Sequence, residues 1–403
     1  MTKERILLLV LASALFSHIM DFMIMMPLGP QLMRLFDITP QQFSFLVSSY
    51  TFAAGASGFF AAFLIDRFDR KVFLIFVYTG FALGTLACAF APTYEVLLIT
   101  RSIAGAFGGV LGALILSIVS DAIPLERRAA GIGFVMASFS VASVFGVPFG
   151  LYLATLFSWH APFLFLGSFS LVVMVFIIYY VPMMSDHLEG ENSKQNPLEI
   201  IKKVLGKKNP LMGLLFTSIL MLGHFTVIPF IAPYMVGNVG FTEQELTYIY
   251  LVGGGLTIFS SPMVGKFADK YGRLKTFTIF GILVLIPVLV ITHLNPVPLW
   301  QALIVTGVFF IMANGRMVPS TTMVTSVIKP ENRGSFMSLR SSVQQISSGL
   351  AALLAGALIT ETPSKVTEGA KALIGYENVG YVAVFFSIIA IFVARKLRAE
   401  KGA

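Results

Sequence analysis

The chain has 403 residues, of which 56% are hydrophobic and 12% charged, with a mean hydropathy of +0.85. Soluble domains carry about 25% charged residues, so a soluble globule of this length could not hide so much apolar surface, whereas a bilayer could. The net charge of +8 would suit a nucleic-acid binder, but the charges fall in short loops between apolar runs, so membrane topology explains them and no nucleic-acid partner is expected.

A membrane-crossing helix needs about 20 mostly apolar residues. Twelve runs qualify, near 6–30, 43–65, 72–91, 94–119, 130–156, 162–182, 211–237, 246–267, 276–294, 299–326, 336–360 and 379–395. They are too long for barrel strands, which need about 10 alternating residues. The fold class expected is an all-α membrane protein with twelve spans.

The first run follows Met1-Thr2-Lys3-Glu4-Arg5 and is too long for a signal peptide, so it reads as an uncleaved first helix. It carries His18 and Asp21, three residues apart and therefore on one face. Cys88, the single cysteine, sits in the third run; it permits no intrachain disulfide and belongs to no metal-binding spacing. The fourth run holds Arg101. Trp159 and His160 open the sixth, where the tryptophan suits a membrane-interface anchor.

From about Met183 to Asn209 the chain turns polar, which divides it into residues 1–182, a linker 183–209 and residues 210–403. Within the linker, the stretch from Pro197 to Leu205 has the spacing of a short amphipathic surface helix. The seventh run carries His224, and the tenth Asn314 and Arg316. Arg340, Gln344 and Gln345 extend a polar wall at the start of the eleventh, and Tyr50 and Tyr248 are candidate cavity aromatics. Ionisable residues inside a span are costly and usually face a partner or a water-filled path. That makes His18, Asp21, Arg101, His224 and Arg316, with Asn314, the candidate functional side chains.

Of the 28 Lys and Arg, only Arg34, Lys365 and Lys371 fall on one side of the membrane, while Arg101 and Arg316 lie within spans. The rest share the other side, which the positive-inside rule makes cytoplasmic, with both termini there. A shift of 203 residues superposes Asp66–Arg70 on Asp269–Arg273, Pro30 on Pro233, Thr39 on Thr242 and Asp21 on His224. Each Thr fits as the N-cap of the next span. After a small gap, Glu126-Arg127-Arg128 and Glu331-Asn332-Arg333 correspond. Two parallel six-helix repeats, with a site near the midplane between them, is a transporter architecture.

At these loops the chain resembles the major facilitator superfamily along essentially its whole length. The family signature G-x-L-A-D-R-x-G-R-K stands here as Ala62-Phe63-Leu64-Ile65-Asp66-Arg67-Phe68-Asp69-Arg70-Lys71, and again as Gly265-Lys266-Phe267-Ala268-Asp269-Lys270-Tyr271-Gly272-Arg273. The first copy departs at both glycines; Asp69 can take the left-handed turn conformation. The resemblance implies a latch between bundles at the cytoplasmic face, so Asp66, Arg70, Asp269, Arg273, Arg128 and Arg333 are gating candidates. Arg101-Ser102-Ile103-Ala104-Gly105 resembles the R-x-x-x-G of drug:proton antiporters. Gly146-Val147-Pro148-Phe149-Gly150 is similar to the G-x-P-x-G of sugar-efflux and arabinose-efflux-like members, with glycines for close packing and proline for a bend.

The expected function is secondary active transport of a small molecule by alternating access. Proton-coupled efflux of a drug, sugar or metabolite comes first, and proton symport or uniport is the alternative. Asp21 lies about 9 residues from the outer end of its run and Arg101 about 8 from the outer start of its own; at about 1.5 Å per residue they are level and can pair. Asp21 is then the expected proton acceptor, with Arg101 its modulator. His18, His224, Asn314 and Arg316 are candidate substrate contacts, with an anionic group the chemistry Arg316 would take. No Walker-type loop, metal cluster or filter ring is present in the sequence. The expectation is therefore a non-enzymatic, cofactor-free monomer in a bacterial-type inner membrane; a receptor that transports nothing is the non-transport alternative.

Overall fold

The computed structural model describes residues 3–185, 206–328, 333–367 and 370–399. Among the described residues, ten helices are long and apolar enough to cross a membrane by length and composition. They are Lys3–Ile24, Arg70–Ala89, Tyr94–Ala122, Leu125–Leu156, His160–Tyr180, Lys208–Val239, Glu243–Tyr271, Arg273–Thr292, Leu299–Thr325 and Tyr376–Ala394. Two further helices, Pro40–Leu64 and Arg333–Leu358, complete twelve crossings in chain order and run against each other as the second and eleventh. The stretch expected to form an amphipathic helix lies outside the described residues.

Local chemistry sets the helix starts. Thr39 accepts from the Gln42 amide (3.2 Å) while the Gln42 side chain accepts from the Thr39 amide (2.9 Å), a reciprocal capping box. Thr242 and Glu245 repeat the device at the corresponding position of the second half. In the loop before the third span Asp69 keeps a negative φ of −54°, not the left-handed turn expected of it. Its carboxylate instead caps the Lys71 and Val72 amides. Gly272, its counterpart, does use the left-handed region (φ +92°), which only glycine occupies cheaply.

Several spans are less continuous than their hydropathy. The first ends at Ile24, and the apolar residues beyond it form a turn and a separate short helix, Gly29–Leu35, with Pro30 in its first turn. The fifth contains a π-turn at Ala142–Gly146 just before Pro148. The seventh stops at Phe225, passes through a 3₁₀ turn at Ile228–Phe230 and closes on a second π-turn, Met235–Val239. A two-stranded antiparallel hairpin, Thr360–Pro363 with Lys371–Ile374, joins the last two spans, with Thr360 opposite Ile374. Nothing in the hydropathy pattern signals it. Trp159 is not a lipid-facing anchor: it is 4% exposed and packs between Phe36 and Phe163. Trp300, at the start of the tenth span, is the exposed tryptophan.

The apolar core has a telling shape. Call the end that carries Lys3, Arg395 and the charged loops at 65–71 and 269–275 the basic end, and the other the far end. At the basic end the core is split. One cluster (Leu11, Leu74, Leu114, Ile177 and neighbours) uses only the first six spans, and another (Phe216, Phe277, Val324, Phe336 and neighbours) only the last six. At the far end a single cluster runs through both halves, from Leu28 and Phe43 to Phe230 and Tyr376. The eighth span likewise packs along residues 142–156 of the fifth and barely touches 125–141. The core thus joins the halves at the far end and is split at the basic end, while the second and eleventh spans stay in contact from Gly356 against Ser44 down to Gly58 against Ser342.

Candidate functional site

At mid-depth in the first half, Arg101 Nη1 donates to Asp21 Oδ2 at 2.9 Å, with the two residues 1% and 0% exposed. Thr85 adds a hydroxyl bond to the other carboxylate oxygen (3.3 Å). The guanidinium carbon lies 4.4 Å from the centre of the Tyr50 ring, a cation–π contact, and Tyr50 Oη meets His18 Nδ1 at 3.0 Å. Arg101 Nε is buried without a partner. His18 is half-buried, whereas Asp21, Arg101 and Tyr50 are fully buried.

The glycine motifs explain how these side chains reach each other. A Cβ at Gly105 would collide with the Tyr50 carbonyl, and one at Gly108 would lie 2.6 Å from Tyr50 Oη and 2.9 Å from His18 Nδ1. Gly105 thus lets the second span approach the fourth closely enough to lay Tyr50 over Arg101. Gly146 and Gly150 admit Met20, which precedes Asp21, and Ile24, three residues beyond it, against the fifth span; a Cβ on Gly150 would sit 2.7 Å from Ile24 Cδ1. The π-turn before Pro148 brings the Ser143 carbonyl against Gly254 of the eighth span, a contact between the halves.

In the second half Arg316 is 1% exposed. Its Nη1 donates to Ser387 Oγ (2.7 Å) and its Nη2 to the Gly223 carbonyl (3.3 Å), with His224 Nδ1 also at 3.3 Å. Gly223 lies in the last turn of the interrupted seventh span, where carbonyls lose their helical partners. Asn314 donates to Ser261 Oγ at 2.6 Å and faces the eighth span rather than Arg316. Arg340 donates weakly to Thr321 Oγ1 (3.4 Å). Phe22 and Phe225, which the 203-residue offset makes equivalents, face each other across the halves at 6.0 Å. Phe22 also packs on Tyr50 (5.7 Å) and Phe225 on His224 (5.4 Å), so an unbroken row of rings links the two buried arginines. Tyr248 is exposed and takes no part.

Far-end charges tie the halves together. Arg34 binds Glu243 at 2.8 Å, and Gln31 donates to the same carboxylate at 2.6 Å. Lys371, on the hairpin, bridges Asp37 (2.8 Å) and Glu361 (2.6 Å). Lys371 holds the Asp37 carboxyl below the ordinary carboxylate range, and the two acids raise the Lys371 ammonium. Asp37 has φ +47°, a left-handed residue that directs its chain toward the hairpin. These contacts surround a cavity of about 140 Å³ lined by Pro30, Met33, Pro233 and Val236 among others. Arg34 and Lys371 were among the few basic residues on the wrong side of the charge asymmetry; that misplacement was the available signal. Thr85 and Ser387, ordinary hydroxyl residues in apolar runs, carried none.

At the basic end, Arg70 donates from Nε to Asp121 (3.0 Å) and from Nη1 to the Ile65 carbonyl (2.9 Å), both within the first half. Arg128 is half-buried, and Asp269 and Arg273 are exposed, with no ion pair from either of those two to the first half among the described residues. The side chains of Asp66 and Arg333 lie outside the described set. Among the described residues, every ion pair between the halves is at the far end.

The Major Facilitator Superfamily model matches residues 11–315 and again 213–402. The MFS-type transporter YceJ of Bacillus subtilis is 23% identical over 85% of this chain and 86% of its own. The transporter AraJ of Escherichia coli is 24% identical over 61% of each chain, and a protein described as a probable sugar efflux transporter of Helicobacter acinonychis is 24% identical over 73% and 75%. Among solved structures, a bacterial homologue of the human lysosomal transporter Spinster, in an inward-facing and unoccupied conformation, superposes with a TM-score of 0.75. It has 16% identity and covers 98% of both chains. The nucleoside transporter NupG gives 0.75 at 13% identity, covering 98% of this chain and 100% of its own. At such identities these two likenesses speak for the fold.

Proposed function

The chain belongs to the Major Facilitator Superfamily of membrane transporters, and on that premise we propose that it is a proton-coupled exporter, exchanging a cytoplasmic small molecule for an incoming proton. The basic end is the cytoplasmic face. The split core there and the joined core at the far end make the present arrangement inward-facing. Transport then requires the far-end contacts to part while the basic end closes, with Asp66, Arg70, Asp269, Arg273, Arg128 and Arg333 supplying the closing contacts.

The observation that carries the coupling is the Asp21–Arg101 pair. Among the described residues Asp21 is the one carboxylate fully buried within a span. Its helix packs through Met20 and Ile24 on Gly146 and Gly150 of the fifth span, and its arginine is covered by an aromatic row that crosses to the other half. A rocking motion that draws Arg101 away frees the carboxylate to take a proton; the return expels it. Export as the direction is supported by relatives described as sugar efflux transporters.

The test is flux in proteoliposomes with an imposed proton gradient, using a substrate identified by counterflow. Reversing the gradient should reverse net flux, with proton and substrate moving in opposite directions. Co-directional movement would replace antiport by symport, and indifference to the gradient would leave only uniport.

A further inference from the structure

The two halves differ in one chemical respect. The first neutralises its buried arginine internally, Arg101 with Asp21. The second does not. Arg316 meets a serine hydroxyl, a backbone carbonyl and an imidazole, all uncharged hydrogen-bonding groups, and its Nε has no partner among the described residues. Among the described residues, the acids of the second half all sit at span ends or on the hairpin: Glu243, Glu245, Asp269, Glu361 and Glu377. None is level with Arg316. Arg340, nearer the basic end, likewise meets no carboxylate among the described residues, and its buried Nε has no partner among them. A cation buried without a counter-charge is costly, and it attracts whatever anion can reach it.

The repeat shows what has been exchanged. His224 occupies the position that Asp21 occupies in the first half, so the second half carries an imidazole where the first supplies the carboxylate. The tautomer of His224 follows from its neighbour. A guanidinium N–H can only donate, so His224 Nδ1 accepts from Arg316 and Nε2 carries the hydrogen. His224 is half-buried, and its Nε2 has no hydrogen-bond partner among the described residues. The ring therefore presents an N–H donor, backed by a buried positive charge, next to Phe225, whose ring faces Phe22 of the other half. Beside that donor stand Phe225, Phe22 and Tyr50, apolar surfaces suited to a hydrocarbon or aromatic body.

We propose that His224 and Arg316 together recognise the carboxylate of an organic anion with an apolar or aromatic body, and that such anions are the substrate class. His224 Nε2–H donates to the carboxylate, and Arg316 supplies the charge behind it. Arg340 provides an electropositive approach from the basic end. This rests on the reading of the central seam as the transport path.

The experiment is a thermal-shift and binding titration of the purified full chain against matched acids and amides. The pairs are benzoate with benzamide, phenylacetate with phenylacetamide and octanoate with octanamide, with gluconate and glucose as the apolar-free pair. At least one apolar acid should raise the unfolding midpoint and bind roughly tenfold or more tighter than its amide, and gluconate should not compete. His224→Phe should abolish the preference for the acid. Arg316→Gln should do the same, and Arg316→Lys, which keeps the charge, should retain it and serves if the Gln variant fails to fold. Amides binding as well as acids, no apolar acid binding at all, or an acid preference that survives His224→Phe would overturn the proposal. Acid binding without proton-driven flux would leave this assignment standing and remove the coupling reading instead. Proton-driven flux of a neutral sugar with no acid binding would do the reverse.

Discussion

Replacing Asp21 by Asn tests the centre of the first half most directly. The substitution keeps the shape and can keep the Thr85 hydrogen bond, but strips the counter-charge from a guanidinium that is 1% exposed. Stranding one member of a buried ion pair costs about 3–5 kcal/mol. The Tyr50 ring, 4.4 Å from the guanidinium carbon, covers the cation in both proteins and cancels in the difference, so the expected loss stays at about 3–5 kcal/mol. Adding Arg101→Gln removes the stranded charge as well and leaves two neutral amides able to hydrogen-bond, so the double variant should lose only about 1–2 kcal/mol. The order of unfolding midpoints in detergent is therefore wild type, then the double variant, then Asp21→Asn. Proteoliposome flux should read differently: both variants should lose proton-driven transport, since neither retains a titratable group at position 21. If the double variant is no more stable than Asp21→Asn, the pair does not hold the folded state as argued here. If Asp21→Asn drives transport with an unchanged pH dependence, Asp21 is not the proton site.

Gly105→Ala would drive a Cβ into the Tyr50 carbonyl; it should destabilise by about 1–3 kcal/mol and slow transport, whereas Gly112→Ala, with no atom within 4 Å of its Cβ, should do neither in the same melts and flux assays. Asp37→Asn removes a bridge between the halves at the far end and should increase labelling of a cysteine placed at Pro30 by a membrane-impermeant maleimide; Cys88 is buried and should stay silent. Because Lys371 lowers the Asp37 carboxyl in the folded state, this bridge contributes above the ordinary carboxylate range and is lost as pH falls through the lowered value. Wild-type labelling should therefore rise on acidification of that face, and Asp37→Asn should flatten the rise. Cysteines at positions 34 and 243, whose native side chains meet at 2.8 Å, should cross-link with a short bifunctional reagent and block flux; unimpaired flux after complete cross-linking would refute a far-end gate.

The sequence by itself determined the class of structure, because hydropathy and charge act over whole segments. Twenty apolar residues must cross a bilayer as a helix whatever their neighbours, and the 203-residue offset is visible because repeated loops keep their caps and charges. Asp21, Arg101, His224 and Arg316 stood out for the same reason: an ionisable residue in a span is rare enough to be noticed without coordinates. What they touch was not legible. Thr85 and Ser387 are unremarkable in the chain, and Tyr50, a candidate cavity aromatic, gives no sign of its partner; Tyr50 and Ser387 reach the arginines where Gly105 and Gly223 allow close approach. The break in the seventh span, the two π-turns and the hairpin depend on which backbone groups find partners after packing, a matter of geometry that leaves hydropathy unchanged. Arg70 shows the limit from the other side: its motif is plain in sequence, yet only the fold decides that it holds Asp121 of its own half in this conformation. The tertiary structure alone shows the core joined at one end and split at the other. That asymmetry is a relation between two halves whose sequences are compatible with either arrangement, so no segment-by-segment reading could contain it.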